Sequence, residues 1–175
     1  MTTSNDAWIA CVDVDYRATG AVAAAIWFRG WATEFVESQA VACFADVAEY
    51  EPGAFYRREL PCLLGVLSKG PRADVVVVDG YVWLGAGAKG LGAHLHEAIG
   101  GVVIGVAKTR FASATDAIAA CRGGSLAPLY VSAVGMTPAD AAAHVVAMHG
   151  PFRTPTLLKL VDTLARTAVV HPQVM

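Results

Sequence analysis

Three acidic side chains lie in segments where a protein interior normally holds apolar residues. Asp13 belongs to the doublet CVDVDY at residues 11–16, inside a stretch with the pattern of a buried strand. Asp79 directly follows the apolar run VVVV at 75–78, and Glu59 shares a helical stripe with apolar side chains. A buried charge is unfavourable unless a partner compensates it. The three carboxylates are therefore candidates for a functional site.

A hard divalent cation is one partner that explains these acids. Mg²⁺ binds a few carboxylates and keeps several waters, which leaves room for phosphate oxygens. Hydrolysis of phosphodiesters by bound metal ions uses such an acidic cluster. A purely structural alternative stays open, in which Asp15 and Glu59 are solvated at the ends of their elements and Asp79 caps the following turn.

Length and composition predict one globular domain, residues 1–175. The chain has 175 residues, of which 55% are hydrophobic and 16% charged, values typical of a chain that buries a core and has little disorder. The longest apolar runs are too short to span a bilayer, and the N-terminal residues lack a signal-peptide pattern. We therefore expect a cytoplasmic protein that does not bind membranes.

Cysteine and charge patterns narrow the chemistry further. The net charge of −2 provides no overall basic surface, so binding of nucleic acid would need a local basic patch. The four cysteines form no CxxC pair and have apolar neighbours, which predicts reduced, buried thiols. They are Cys11, Cys43, Cys62 and Cys121.

Hydrophobic periodicity predicts an α/β domain in which Asp79 ends a central strand. Extended segments at 7–16, 21–28 and 31–43 are joined by short turns and favour an antiparallel meander. The apolar runs 73–79 and 102–107 are typical of central parallel strands covered on both faces. In such sheets, polar residues at the carboxyl ends of strands line the ligand crevice.

Helix signals complete the predicted domain. A helical pattern that contains Pro61 is expected to start close to Glu59 or to kink at the proline. Thr137-Pro138 and Thr154-Pro155 have the N-cap and N1 residue types that start two closing helices. The other predicted elements are a helix at 91–99, a loop or short helix at 112–124 and a strand at 126–132.

The segments around the acids resemble the endonuclease V family, repair nucleases that act on deoxyinosine, with relatives that act on inosine in RNA. VDVDY at 12–16 is similar to the family's first strand, and VVVVDG at 75–80 to the strand with its second aspartate. YRRELP at 56–61 resembles the arginine–glutamate helix start, and GVAKTR at 105–110 resembles the lysine signature. The resemblance spans about residues 7–167.

This resemblance implies roles for individual residues. Asp13, Glu59 and Asp79 would hold Mg²⁺, with Mn²⁺ as a substitute, and Lys108 would face the reacting phosphate. These four are the implied catalytic residues. YEPG at 50–53 resembles the tyrosine–proline–glycine wedge that is inserted at the lesion. The implied substrate contacts are Tyr50, Pro52, Gly53, Arg58, Gly80 and His94.

The fold implied by the resemblance is ribonuclease H-like, a mixed five-stranded sheet flanked by helices. It agrees with the antiparallel meander plus parallel strands expected from periodicity. The implied reaction is Mg²⁺-dependent hydrolysis of a phosphodiester 3′ to deoxyinosine, inosine or another altered base, in DNA or RNA. We expect nucleic acid as the partner, bound by a monomer.

Two segments depart from the family pattern and keep other functions open. After Asp79, the residues Val82, Gly85 and Gly87 replace the family's usual glycine, histidine and basic residue. SAVGM at 132–136 has no histidine where relatives carry a glycine–histidine pair. One alternative is a catalytically weakened relative that binds nucleic acid, and another is a metal-dependent phosphohydrolase of small nucleotides.

Overall fold

The computed structural model describes residues 6–169, which form a mixed sheet with helices on both faces. The strands are β1 (Ile9–Arg17), β2 (Gly20–Phe28), β3 (Ser38–Phe44), β4 (Val75–Asp79), β5 (Val102–Ala107), β6 (Ile118–Ala120) and β7 (Leu129–Val134). The helices are α1 (Tyr56–Leu67), α2 (Leu91–Ile99), α3 (Pro138–Ala147) and α4 (Thr156–Thr167). Across the sheet the strand order is β3-β2-β1-β4-β5-β7-β6.

The first three strands form the predicted antiparallel meander. Asp13 lies opposite Ala24 of β2, and Ala24 lies opposite Val41 of β3. Small alanines fill much of β2, which lets helices pack closely on both of its faces. The ribonuclease H-like mixed sheet expected from the sequence is confirmed, with seven strands in residues 6–169 rather than the five implied by the resemblance.

The direction of the strands changes four times across the sheet, twice within the meander and twice beyond β5. β1, β4 and β5 are parallel neighbours, whereas β7 is antiparallel to β5 and β6 is antiparallel to β7. The continuation by parallel strands therefore holds only as far as β5. No helix lies between β5 and β7, and a parallel connection normally needs such a crossover.

Strand alternation divides the core into two layers. Cys11, Val77 and Ile104 face the layer that α3 and α4 cover, whereas Val12 and Val76 face the layer that α1 and α2 cover. Because Asp13 is two residues beyond Cys11, its side chain points toward α4, as the alternation predicts. The layers therefore decide which helix can supply a partner to each acid.

Three element boundaries differ from prediction. β3 begins at Ser38 rather than Trp31, because the chain turns at Gly30 and Thr33 before it returns beside β2. The first helix begins at Tyr56, ahead of Glu59, with its proline inside. Residues 112–124, expected to be a loop or a short helix, contain the short edge strand β6.

The two closing helices begin differently. The Thr137 hydroxyl accepts a hydrogen bond from the N–H of Asp140, which confirms the predicted cap of α3. The prediction of Thr154 as the cap of α4 is wrong, because Pro155 occupies that position and offers no side-chain cap. The Thr156 N–H instead donates to the carbonyl of His149 at 2.8 Å.

The four cysteines are free, as predicted, but only two of them are buried. Cys11 lies in a central strand and Cys62 on the inner face of α1, and both are buried. Cys43 and Cys121 are exposed, so the prediction of four buried thiols is wrong. Cys43 lies on the edge strand β3 and Cys121 just after the edge strand β6, where the helices do not cover the sheet fully.

No helix of residues 6–169 is long and apolar enough to cross a bilayer.

Candidate active site

A cleft opens where β1 and β4 separate. Their parallel pairing ends at Cys11 and Val77, after which β1 continues along β2 alone. Asp13 follows this last pair on one side and Asp79 ends β4 on the other. This cleft, the acid cleft, is lined by these two aspartates, by Lys108 and by Asp162 of α4. The position is the carboxyl end of parallel strands, where ligands bind in open α/β sheets.

The turn after Asp79 is held against the neighbouring strands. The N–H of Gly80 donates to the carbonyl of Val106 at 3.0 Å, and the N–H of Val82 donates to the Ser132 hydroxyl at 2.9 Å. A Cβ on Gly105 would lie only 2.5 Å from the Gly80 oxygen. Glycine at 105 thus permits the close approach that keeps Asp79 in the cleft.

Asp13 is a carboxyl whose surroundings favour its protonated form. Burial, with further contributions from Asp162 and Asp79, raises its pKa to about 7, although the Val14 N–H opposes the shift with a 2.9 Å hydrogen bond. A hydrogen bond joins the Asp13 and Asp162 carboxyls. Mutual repulsion of carboxylates in a partly desolvated site is one of the ordinary causes of such a shift.

Glu59 approaches the same acids from the opposite layer of the core. It projects from the first turn of α1 and is buried, with 6% of its surface exposed. Burial, followed by the charges of Asp13 and Asp79, raises its pKa to about 8, against the opposing charge of Arg58. Its Oε2 has no hydrogen-bond partner among residues 6–169. An orphaned buried carboxylate oxygen is expected to be compensated by a ligand or a proton.

Lys108 provides the positive charge of the cleft. It directly follows β5, and its charge opposes the effect of burial that raises the pKa of Asp79. Arg153 fixes the backbone here by donating to the carbonyls of Lys108 at 2.6 Å and Pro128 at 2.8 Å. The lysine is therefore held beside Asp79 by its main chain, while its side chain remains exposed.

Asp162 is a site residue that the sequence did not reveal. It lies on α4 one turn after Leu158 and beside Val161, both of which also line the cleft. Although burial acts in the opposite direction, hydrogen bonds from Arg166 and Asp13 lower the pKa of Asp162. Its position beside an apolar stripe was the available signal, but helix periodicity cannot identify the strand that α4 covers.

The second acid of the opening doublet positions α4. Asp15 accepts a hydrogen bond from the Arg17 Nε at 3.1 Å. The other nitrogens of Arg17 donate to the carbonyls of Ala165 at 2.9 Å, Arg166 at 3.1 Å and Ala168 at 2.9 Å. These carbonyls have no intrahelical partner at a helix end. Arg17 therefore ties the end of the helix that carries Asp162 to the strand that carries Asp13.

Arg17→Ala is expected to lower the free energy of unfolding by about 1.5–3 kcal/mol, the range for hydrogen bonds to charged groups. Urea denaturation followed by circular dichroism measures this change. Arg57→Ala is the matched control, because Arg57 is exposed and its side chain forms a 3.4 Å salt bridge with Glu51 and a 3.3 Å hydrogen bond to the Tyr56 hydroxyl, both on the surface. The control should stay within about 0.5 kcal/mol. Equal effects of both variants would contradict the role of Arg17.

The predicted wedge lies on a surface loop near the acids. Tyr50 is 62% exposed, and its ring meets Phe55 edge-on with centroids 6.4 Å apart. Phe55 in turn contacts Tyr16 at 6.4 Å. Pro52 and Gly53 are exposed, and Gly53 has a φ of +80° with open space around it. The loop therefore presents an aromatic ring to solvent without burying it.

Arg58 on α1 and His94 on α2 lie outside the lining of the acid cleft. The Arg58 guanidinium lies 3.8 Å from the Tyr16 ring centroid, and with Tyr50 it lines a separate cleft of about 400 Å³. His94 stacks on Tyr56 with ring centroids 3.6 Å apart, and burial lowers its pKa. The substrate-binding roles of these residues, and of Gly80, stay predictions.

Comparison with known proteins identifies the family. The family model described as Endonuclease V matches residues 2–146, most of the chain. This chain belongs to the endonuclease V family. No curated protein matches the sequence.

Solved structures of endonuclease V share the fold. The Streptomyces avermitilis enzyme is 28% identical, with a TM-score of 0.75 over 91% of this chain and 79% of its own. The human enzyme is 23% identical, with a TM-score of 0.76 over 93% and 84% of the two chains. A Ciona intestinalis endonuclease V, solved with DNA containing an inosine followed by a ribo-adenosine, is 18% identical with a TM-score of 0.77 over 91% and 84%.

The acidic side chains of this endonuclease V family member are of the chemical type that binds a hard cation. They are the carboxylates of Asp13, Asp79 and Asp162, together with Glu59 and its unpartnered oxygen. Carboxylate oxygens are the ligands that Mg²⁺ prefers. Within residues 6–169, however, no three His, Cys, Asp or Glu side chains are gathered closely enough to enclose an ion. The described residues therefore offer donors of the right chemistry without a closed metal-binding group.

Proposed function

We propose that this chain is a divalent-metal-dependent endonuclease that hydrolyses a phosphodiester 3′ to inosine or deoxyinosine in nucleic acid. The observation that carries the proposal is the convergence of three aspartates and Lys108 on one cleft, with buried Glu59 coupled to two of them. Family membership supports the nuclease activity. The DNA in the Ciona structure supports the class of substrate.

The carboxylates are proposed to form the metal site. Asp13, Glu59, Asp79 and Asp162 would hold Mg²⁺ or Mn²⁺, which supplies charge neutralisation and lowers the pKa of bound water. The raised pKa values of Asp13 and Glu59 support this role, because a cation compensates the burial of their charges and the repulsion between the acids, which together raise these values.

The remaining residues are proposed to act on the substrate directly. Lys108 is placed to neutralise negative charge that develops on the phosphate. Tyr50, exposed on its loop, offers a ring that can stack where an altered base leaves the helix. Arg58 is placed to contact a phosphate beside Tyr50, since the two line the same cleft.

Cleavage assays test the proposal. Single- and double-stranded DNA and RNA oligonucleotides, each with one inosine, are incubated with the protein and Mg²⁺ or Mn²⁺, and products are mapped on a sequencing gel. We expect a single cut 3′ to the inosine and none with Asp79→Asn. Binding without any cleavage would favour the weakened relative, and hydrolysis of free nucleotides without cleavage of oligonucleotides would favour the small-nucleotide phosphohydrolase.

Lys108→Ala is expected to lower the single-turnover cleavage rate about 100- to 1,000-fold, the usual loss when one charge-stabilising donor is removed. Substrate affinity should change much less, because the charge develops mainly in the transition state. Lys89→Ala is the control, since Lys89 pairs with Glu97 near α2, outside the acid cleft. A Lys108→Ala rate within about threefold of the wild type would refute the role of this lysine.

A further inference from the structure

A second cleft lies beside Lys108 and has aromatic walls. We propose that it binds an unaltered nucleobase next to the altered one, on the same strand. The inference rests on the proposed function, since it needs a nucleic-acid strand in the acid cleft. None of the predicted substrate contacts lines this second cleft, which we call the aromatic cleft.

The aromatic cleft has the composition of a base-binding site. Its volume is about 380 Å³, within the range of small-molecule sites. Three aromatic side chains and one arginine contribute to its wall, namely Tyr81, Phe111, Tyr130 and Arg110. Aromatic faces stack on any nucleobase, and an arginine beside them can contact the phosphate.

The aromatic wall is held in place by hydrogen bonds. The Tyr81 hydroxyl donates to the carbonyl of Thr109 at 2.6 Å and accepts from the N–H of Phe111 at 3.0 Å. The Tyr81 and Phe111 rings lie 6.0 Å apart at an angle of 49°. These bonds hold the Tyr81 ring and the Phe111 main chain in place before any ligand arrives, which reduces the entropy lost on binding.

Small side chains keep the facing wall open. Ala119 of β6 lies directly opposite Tyr130 of β7, so the tyrosine ring has no bulky neighbour on that side. Phe111 is 45% exposed although it is a large apolar residue. The other small residues of the wall are Ala112, Ala114, Thr115 and Ala117.

The position of the aromatic cleft fits a strand that passes through the acid cleft. Lys108 lines the acid cleft, whereas Arg110 and Phe111 line the aromatic cleft. Lys108 and Arg110 are two residues apart, and two residues of extended chain span at most about 7 Å. One nucleotide can bridge that distance between the two clefts. Arg110 forms no salt bridge with another residue in 6–169, so its charge is available to a phosphate.

Binding of abasic oligonucleotides tests the inference. Fluorescein-labelled single strands with one inosine carry one abasic site, moved through the positions next to the inosine. Anisotropy is measured in the Asp79→Asn background, which prevents cleavage. One abasic position should weaken binding about fivefold or more, the lower range for a stacked base. Phe111→Ala should weaken binding of the intact strand by the same factor as that abasic site weakens binding to the unsubstituted aromatic cleft. In the Phe111→Ala protein, an abasic site at that position should cause no further loss of affinity.

Two further variants make the result decisive. Ala119→Trp fills the aromatic cleft from the opposite wall, retains all three aromatic rings and should reproduce the loss. Phe152→Ala removes a 73% exposed ring outside the cleft and should leave binding unchanged. Unchanged binding by both Phe111→Ala and Ala119→Trp would overturn the inference, as would equal sensitivity to every abasic position.

The inference and the proposed function can fail separately. A wild-type protein that cleaves no oligonucleotide, while Phe111→Ala still removes the position-specific loss, would refute the nuclease and support the aromatic cleft. Cleavage 3′ to inosine with no effect of either variant on binding would support the nuclease and refute the aromatic cleft.

Discussion

Asp13→Asn is expected to lower the single-turnover cleavage rate about 100- to 1,000-fold or more, whereas Asp15→Asn should lower it less than about tenfold. The two residues are neighbours on one face of β1, so the pair is a closely matched comparison. Only Asp13 lines the acid cleft, while Asp15 bonds to Arg17. Rates are measured with saturating enzyme on an inosine-containing strand with Mg²⁺.

The two variants also differ in their expected effect on stability. Asp13→Asn removes a carboxyl whose charged form is disfavoured in the folded protein, so the metal-free variant should be at least as stable as the wild type near pH 8. Asp15→Asn breaks a partly exposed ion pair and should lower the unfolding free energy by up to about 1 kcal/mol. An equal loss of cleavage in both variants would indicate that a disturbance of strand β1, rather than the loss of the Asp13 carboxylate, lowers the rate.

Metal-free protein is expected to lose stability as the pH rises from about 4 to 8. The pKa of Asp13 is raised to about 7 and that of Glu59 to about 8, both above the values of about 4 in an unfolded chain. Between these limits the folded protein binds more protons than the unfolded chain, so the unfolding free energy falls with rising pH. Below pH 4 the two carboxyls are protonated in both the folded and the unfolded protein, and above pH 8 they are ionised in both. Their contribution to the pH dependence of the unfolding free energy therefore levels off outside this range.

A bound divalent cation should reverse this trend. It compensates the ionised carboxylates of the folded state, so Mn²⁺ is expected to raise the melting temperature at pH 8.5 by about 5 °C or more. The rise should be much smaller at pH 5.5, where protons compete for the same oxygens. Differential scanning fluorimetry across this pH range, with Mn²⁺ or with a chelator, measures both effects.

Glu59→Gln provides the matched control for this experiment. The amide has the shape of the carboxylic acid but cannot ionise, so the metal-free variant should be more stable than the wild type at pH 8.5 and less sensitive to pH. It should also lose much of the stabilisation by Mn²⁺. A wild-type melting temperature that rises from pH 5.5 to pH 8.5 without metal would contradict the arrangement of acids in the cleft.

Local sequence was sufficient to predict most elements and three of the site's carboxylates. Strand alternation placed Asp13 on the same face as Cys11, because successive side chains must point to opposite faces. The run before Asp79 marked a central strand, since only a strand covered on both faces is apolar throughout. The family resemblance ranked Asp13 above Asp15, which alternation alone could not do.

Tertiary structure decided what local patterns leave undetermined. Asp162 reaches Asp13 only because α4 packs across β1, a contact between residues far apart in the chain. The start of β3, the antiparallel direction of β7 and the exposure of Cys43 likewise depend on the neighbours that each segment meets in the sheet. The doublet CVDVDY contains one acid that faces the cleft and one that holds Arg17 against α4, and this division depends on where the helix packs.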